Sequence, residues 1–385
     1  MRSSLGRRSV LAGGLGIAGT VALRRRRTFA AENLQMLCWG GYDDPNLTKR
    51  FRESTGFGVG SQRVGANDEF FTFLRAGGVG KFDIVTPGNG VVQGLAELGL
   101  IQPIDWSRLK NAGNLFSRFQ APEWATFNGQ VFAAPVSWRT SPIVYNADTI
   151  GELPANWVEL RDPAFTGRVV MTDDVLSHFT VWNRALGAEN PVVVTKQTLN
   201  ETVEAVLDIK RNQAVAFVTN MNDLAGQLVN GPAAISSVGM ENATAQYAAR
   251  GANLRLARPA PGDFSICEAL CIVAESPRID AAYAFIDEML STESQQWMAN
   301  VFVRGTVATA AVPELNASIR QLYNYDDLDQ VFSLSPLVGF PPLSTELGDT
   351  ATYLDWVIAW DRVRYTGMGA LSTPTPSPEP SPASS

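Results

Sequence analysis

Apolar and polar positions change period repeatedly along the chain, and that rhythm predicts its elements. Leu34 to Trp39 is largely apolar and stops abruptly at Gly40, Gly41 and Tyr42. Such a run reads as a buried strand ending at a sheet edge, in a turn that small residues allow. Pro45 then opens a helix to Ser54, at the first-turn position where its missing N–H costs nothing. Phe57 to Val64 reads as a strand. Asn67 is placed to cap a helix over Asp68 to Ala76, with Phe70, Phe71 and Leu74 at helical spacing and Gly77-Gly78 as its stop. Phe82 to Thr86 is a short strand running into the turn Pro87 to Gly90, and Val91 to Leu98 is a helix. This alternation predicts a parallel α/β sheet. Ligands of open α/β sheets sit beyond the carboxyl ends of the strands. Trp39, Gly40, Gly41 and Tyr42 are therefore the first site candidates, although a core Trp followed by a tight loop would give the same pattern.

Asn128-Gly129 is a strong hairpin signal. Gln130 to Trp138 and Ser141 to Asn146 are extended and suit a connection that leaves the first domain. The alternation restarts after Trp157. Val169 to Thr172, Val215 to Val218 and Ala233 to Val238 read as strands; Leu199 to Lys210, Asp223 to Val229 and Glu241 to Arg250 read as helices. Ile266 to Ala274 is apolar enough to carry the chain back. Helices follow over Ile279 to Leu290, Glu293 to Asn300 and Thr352 to Tyr365. Beyond Gly367 the chain alternates Pro with Ser and Thr, lacks apolar residues to fold around, and reads as a disordered or linker tail.

Composition bounds the function. A chain of 385 residues with 45% apolar and 18% charged residues is a globular protein long enough for two domains. Residues 1–30 carry seven Arg and no acid; removing those charges from a net charge of -7 leaves -14 on the remainder. An acidic body disfavours nucleic acid and weakly favours a cationic ligand. Cys267 and Cys271 lie four apart in one strand-like run, too distant to bridge, and Cys38 could pair only through the tertiary fold, so buried free thiols are expected. One His and no Cys/His cluster argue against a zinc site, and no cofactor is expected.

The N-terminus reads as an address. Arg7-Arg8 precede the apolar run Val10 to Leu23, and small residues near Ala30-Ala31 suit cleavage. Paired Arg followed by Ser9-Val10-Leu11 resembles a twin-arginine (Tat) signal. The four Arg at 24–27 could instead hold an uncleaved anchor at the membrane. The expected product is a periplasmic protein.

W-G-G-Y at 39–42, N-D-E at 67–69, L-R-A-G-G at 74–78, F-D-I-V-T-P at 82–87, G-L-I-Q-P-I-D at 99–105 and T-D-D at 172–174 fall in one order. Together they resemble the extracellular solute-binding proteins of ABC transporters, spermidine/putrescine-binding branch, over most of Leu34 to about Tyr365. The resemblance implies a two-lobe periplasmic binding protein fold of type II. Lobe 1 would hold residues 34–139 and 268–318, lobe 2 residues 140–267 and 319–366, with strands crossing at the hinge and ligand trapped on closure. It implies a monomer that delivers a small cationic, polyamine-like solute to a permease and its ATPase.

Polyamines call for carboxylates and aromatic faces. Position by position, Trp39 and Tyr42 match a family Trp and Tyr, Asp174 a carboxylate, and Glu268 a family Asp. Elsewhere the chain departs: Gly41 stands for an acid, Gly88 and Gly90 for Ser and Tyr, Ser177 for a second carboxylate, Gly239 for a Trp and Ile266 for an aromatic. A wider, less acidic pocket is expected, with Gly40, Asn89 and Trp138 also among its ligand-binding residues. Arg139 and Arg304 fall where the family chain meets the cleft. There they would hold a carboxylate, making an amphoteric, opine-like or amino-acid-like solute the alternative, or else pair with nearby acids. His178, Trp356 and Trp360 read as packing, Tyr323 and Tyr325 only weakly match iron-binding relatives, and Glu241 could reach the cleft from a helix start. An exported enzyme is the distant alternative: it would need a nucleophile with its base or a pair of acids, and Asp174 with Glu268 is the only pair to test.

Overall fold

The computed structural model describes residues 33–248, 251–343 and 348–367. The expected signal over residues 1–30, and the tail after Gly367, lie outside the described residues.

The first sheet is built from β1 (Asn33–Cys38), β2 (Gly58–Arg63), β3 (Ile84–Val85) and β4 (Ile101–Gln102), separated by helices Pro45–Thr55, Asp68–Phe73 and Asn89–Glu97. A small hairpin, β5 (Thr126–Phe127) and β6 (Gln130–Val131), turns on Asn128 and Gly129, whose φ values of 49° and 73° suit a two-residue turn. β7 (Ala134–Thr140) and β8 (Ile143–Asn146) follow. β9 (Val169–Thr172), β10 (Ala214–Val218), β11 (Ile235–Ser236) and β12 (Leu254–Ala257) then alternate with helices, and β13 (Ser265–Val273) returns.

The first sheet runs β2-β1-β3-β13-β4, with β7 also on β13; the second runs β10-β9-β11-β8-β12. β1, β2 and β3 are parallel, as expected. β13, however, is antiparallel to β3, β4 and β7, because it enters from the opposite direction, so the sheet is mixed. Both sheets are covered on both faces, which explains their unbroken apolar runs. In β1, Leu34, Met36 and Cys38 join one buried cluster and Leu37 another. In β9, Val169 and Met171 face one core and Val170 the other. Cys38, Cys267 and Cys271 are free and buried.

Three segments pass between the sheets side by side. β7 continues through Ser141-Pro142 into β8, Phe264 packs in the second core just before β13, and residues 335–339 make the third passage. Thr140 and Leu337 both bridge to Ser265. One expected boundary moves. Ile319, Tyr323, Leu328 and Phe332 pack in the first sheet's core, so residues 319–334 belong with that half, and the crossing falls after Leu334. Helices Ala317–Tyr323 and Leu328–Leu334, seven residues each, are too short to show a period in the sequence. Helix Val175–Ala185 also escapes the pattern. His178, Thr180 and Asn183 are buried along with Phe179, Val181 and Trp182, so it has little polar face.

Local chemistry corrects the start of Asp68–Phe73. Asn67 has helical dihedrals and makes no side-chain cap; its Oδ1 instead accepts from the Gly88 N–H at 3.3 Å. The final helix, Tyr353–Tyr365, carries a full capping box between Thr352 and Asp355.

Candidate functional site

A cleft of about 690 Å³ lies between the two sheets. Trp39, Gly40, Gly88, Arg139, Asp174, Ser177, Glu268 and Arg304 line it, together with Asp68, Asp173, Tyr353, Trp360 and Arg364. The carboxyl ends of β1 and β9 both open onto it, through Trp39-Gly40 and Asp173-Asp174, where open α/β sheets place ligands.

The floor is a fixed relay. Tyr42, 2% exposed, donates from its hydroxyl to Glu268 Oε2 at 2.6 Å and contacts Ser137 Oγ at 2.9 Å. Burial and the Glu268 charge push the phenol well above its ordinary pKa, so it stays a donor. Arg304 Nη1 donates to Glu268 Oε1 at 2.6 Å. Burial weighs against the Arg304 charge, but Glu268 more than offsets it and holds the pKa above the usual value. Glu268 is thereby satisfied on both oxygens.

Arg139 is different. Its guanidinium makes one hydrogen bond, Nη1 to Ser141 Oγ at 3.3 Å, and no ion pair among the described residues. Burial first, and the Arg304 charge second, pull its pKa down.

The opposite wall carries Asp174 as the N-cap of helix Val175–Ala185. Its Oδ1 accepts from Ser177 N at 3.1 Å and its Oδ2 from Ser177 Oγ at 2.6 Å. Ser177 is thus a partner of Asp174 rather than a lost acid. His178 is fully buried: Nδ1 donates to the Asp174 carbonyl at 2.9 Å, Nε2 meets Ser237 Oγ at 2.7 Å, and the ring lies against Trp360. Asp173 is held by Arg364 and by Trp360 Nε1 at 2.7 Å. Trp360, expected to be packing only, also borders the cleft.

Five predicted residues stand outside the lining. Tyr42 acts from beneath, through Glu268. Trp138 is buried against Tyr323, Tyr325 and Phe332, with Nε1 on the Thr306 carbonyl at 3.0 Å. Asn89 ties the crossing segments together, donating to the Val338 carbonyl at 2.6 Å and accepting from Cys267 N at 3.0 Å. Gly41 and Gly239 do not widen the pocket. A Cβ on Gly41, whose φ is +110°, would lie 2.9 Å from Phe302, and one on Gly239 would lie 2.5 Å from Val144. Met240 reaches the cleft instead. Glu241 is buried behind it, where its Oε1 accepts from Thr140 N at 2.9 Å. Tyr323, buried, and Tyr325, half-buried, belong to the aromatic cluster around Trp138. No cluster of three potential metal ligands occurs among the described residues.

Sequence reading missed Asp68 and Tyr353 as cleft residues. Asp68 stands in the N-D-E motif, a usable signal; Tyr353 opens the last helix and carried none. The Tyr353 hydroxyl donates to Asp68 Oδ1 at 3.5 Å, and both Asp68 and Asp174 act on it electrostatically.

A family model described as bacterial extracellular solute-binding protein matches residues 46–320. The chain is a bacterial extracellular solute-binding protein. The solute-binding protein is 26% identical over 318 residues to a putrescine/cadaverine-binding protein of Pseudomonas aeruginosa, covering 80% of this chain and 88% of that one. It is 24% identical over 310 residues to the spermidine/putrescine-binding periplasmic protein of Escherichia coli, covering 79% and 84%. Among solved structures it resembles the spermidine/putrescine ABC transporter substrate-binding protein of Streptococcus pneumoniae, with a TM-score of 0.69 at 23% identity, over 86% of this chain and 99% of that one. The two-lobe α/β fold is that of these proteins, and the role is binding rather than turnover.

Proposed function

We propose that this solute-binding protein captures a small amine-bearing cation between its two halves and presents it to an ABC permease and its ATPase. The observation that carries the reading is the pair Asp68 and Asp174. These carboxylates come from opposite halves of one cleft, neither forms an ion pair among the described residues, and Tyr353 and Trp39 line the same cleft. Carboxylates satisfy ammonium groups, and aromatic faces accept methylenes and cationic charge. The polyamine-binding relatives agree with that chemistry. Ligand touching both halves favours the closed arrangement, because only there are all its contacts made. The halves that move would be residues 34–139 with 268–334, and residues 140–267 with 340–366, turning on the three crossing segments. Export to the periplasm through the twin-arginine machinery, from the signal over residues 1–30, and action as a monomer belong to the same proposal.

The test is a thermal-shift panel on residues 31–367 with diamines, triamines, amino acids bearing a side-chain amine, and the corresponding diols. A ligand that binds only the folded state raises the melting temperature. Amine compounds are expected to stabilise and the diols not. A panel in which no amine raises the melting temperature would remove the reading.

A further inference from the structure

Four carboxylates and three guanidinium groups line the cleft: Asp68, Asp173, Asp174 and Glu268 against Arg139, Arg304 and Arg364. The protein has already spent most of them on each other. Arg364 holds Asp173 through Nε at 3.0 Å, and Arg304 holds Glu268 at 2.6 Å. Among the described residues, the charges left without an ion pair are two carboxylates, Asp68 and Asp174, and one guanidinium, Arg139.

That remainder has a definite complement. The Tyr353 hydroxyl donates to Asp68 at 3.5 Å and feels the charges of both Asp68 and Asp174, so cationic nitrogen in this part of the cleft would meet two negative charges and a ring. Arg139 sits on β7, opposite Ile266 in the ladder with β13, and shares the cleft with a second guanidinium, Arg304. Arg139 makes no ion pair among the described residues; Asp174, Glu268 and Glu241 favour its charge from farther off, but burial and Arg304 outweigh them, and a half-buried guanidinium presents a fork that fits a carboxylate bidentately. A pure polyamine would add positive charge beside Arg139 and leave its fork empty. We propose that the solute is a diamino monocarboxylic acid, or a molecule containing one, with its ammonium groups toward Asp68 and Asp174 and its carboxylate on Arg139. This rests on the amine-binding function proposed above and narrows it: Arg139, not Arg304, sets specificity.

Two matched pairs of probes isolate the carboxylate. Ornithine differs from putrescine, and lysine from cadaverine, by that one group. Calorimetric titration of the wild-type protein is expected to show each diamino acid binding at least tenfold tighter than its diamine. In Arg139→Gln that advantage should fall to about twofold or less while diamine affinity holds or improves, and Arg139→Lys should keep part of it. Because Arg139 forms no ion pair among the described residues and burial with Arg304 weighs against its charge, Arg139→Gln should not lower the melting temperature of the empty protein, so lost binding cannot be lost folding. Diamines binding as tightly as the diamino acids, or a preference that survives Arg139→Gln, would overturn the inference and leave the amine-binding function standing. No binding in either series would overturn both.

Discussion

At the scale of single residues, the site is made of side chains whose partners decide their roles. Asp174 shows how two roles share one group: it caps a helix and leaves its charge facing the cleft. The two separate by substitution. Asp174→Ala should lower stability by about 1 kcal/mol, the usual cost of losing an N-cap, and weaken amine binding at least tenfold. Asp174→Ser keeps a cap, so it should retain wild-type stability in denaturant titrations and lose the same affinity. Equal affinity in wild type and Asp174→Ser would take the carboxylate out of the site. Tyr42 is the converse case. The W-G-G-Y motif marked it as a ligand contact, but its ring is buried and its hydroxyl props Glu268, which no local pattern encodes.

At the scale of elements, the glycines that look like vacancies in the sequence are mostly points of close approach. Gly90 lies in the first turn of helix Asn89–Glu97, and a Cβ there would stand 2.6 Å from the Gly339 backbone and 2.8 Å from Phe340 N. The third crossing segment therefore packs directly on the helix start, where Asn89 also holds the Val338 carbonyl. Gly90→Ala should destabilise the protein by about 1–3 kcal/mol through overpacking against main chain that cannot rotate away, read as a lowered urea midpoint at unchanged slope. An unchanged midpoint would mean that the crossing segment yields freely. Strands and long helices were legible because burial on two faces, or on one stripe, leaves a period in the sequence. Helix Val175–Ala185 was not, because nearly every side of it is packed.

At the scale of the whole molecule, one buried network joins the crossing segments. Asp263, fully buried, accepts from Ser335 Oγ and lies 3.5 Å from Arg258 Nε. Arg258 also donates to Thr140 Oγ1 at 2.8 Å and approaches Glu241 Oε1 at 3.8 Å, while Arg184 Nη1 donates to the Asp263 carbonyl at 2.6 Å. Burial pushes Asp263 up from 3.8 to about 6, and the nearby Glu241 charge adds to it, against Arg258 and Ser335. The folded state therefore binds a proton at Asp263 that the unfolded chain has released between about pH 4 and pH 6. Its contribution is full below that window and lost as pH rises through it, a change of about 3 kcal/mol. Asp263→Asn should therefore gain stability relative to wild type between pH 4.5 and pH 7.5. A difference between the two proteins that stays constant with pH would exclude Asp263 as the titrating group.

The sequence by itself determined the two α/β halves, the buried free thiols and the order of family motifs. These depend on local periodicity, on turn residues such as Asn128-Gly129 and on spacing that a single strand imposes, all of which are written along the chain. Tertiary structure alone decided which charges remain open. Glu268 and Arg304 neutralise each other across 36 residues, and Asp173 meets Arg364 across 191. Asp68 and Tyr353 meet from opposite halves. Arg139 is left with a single long hydrogen bond to Ser141. Pairing between distant residues follows from how the three crossing segments bring the sheets together, and a side chain's charge has no effect on a ligand until its nearest partners are fixed.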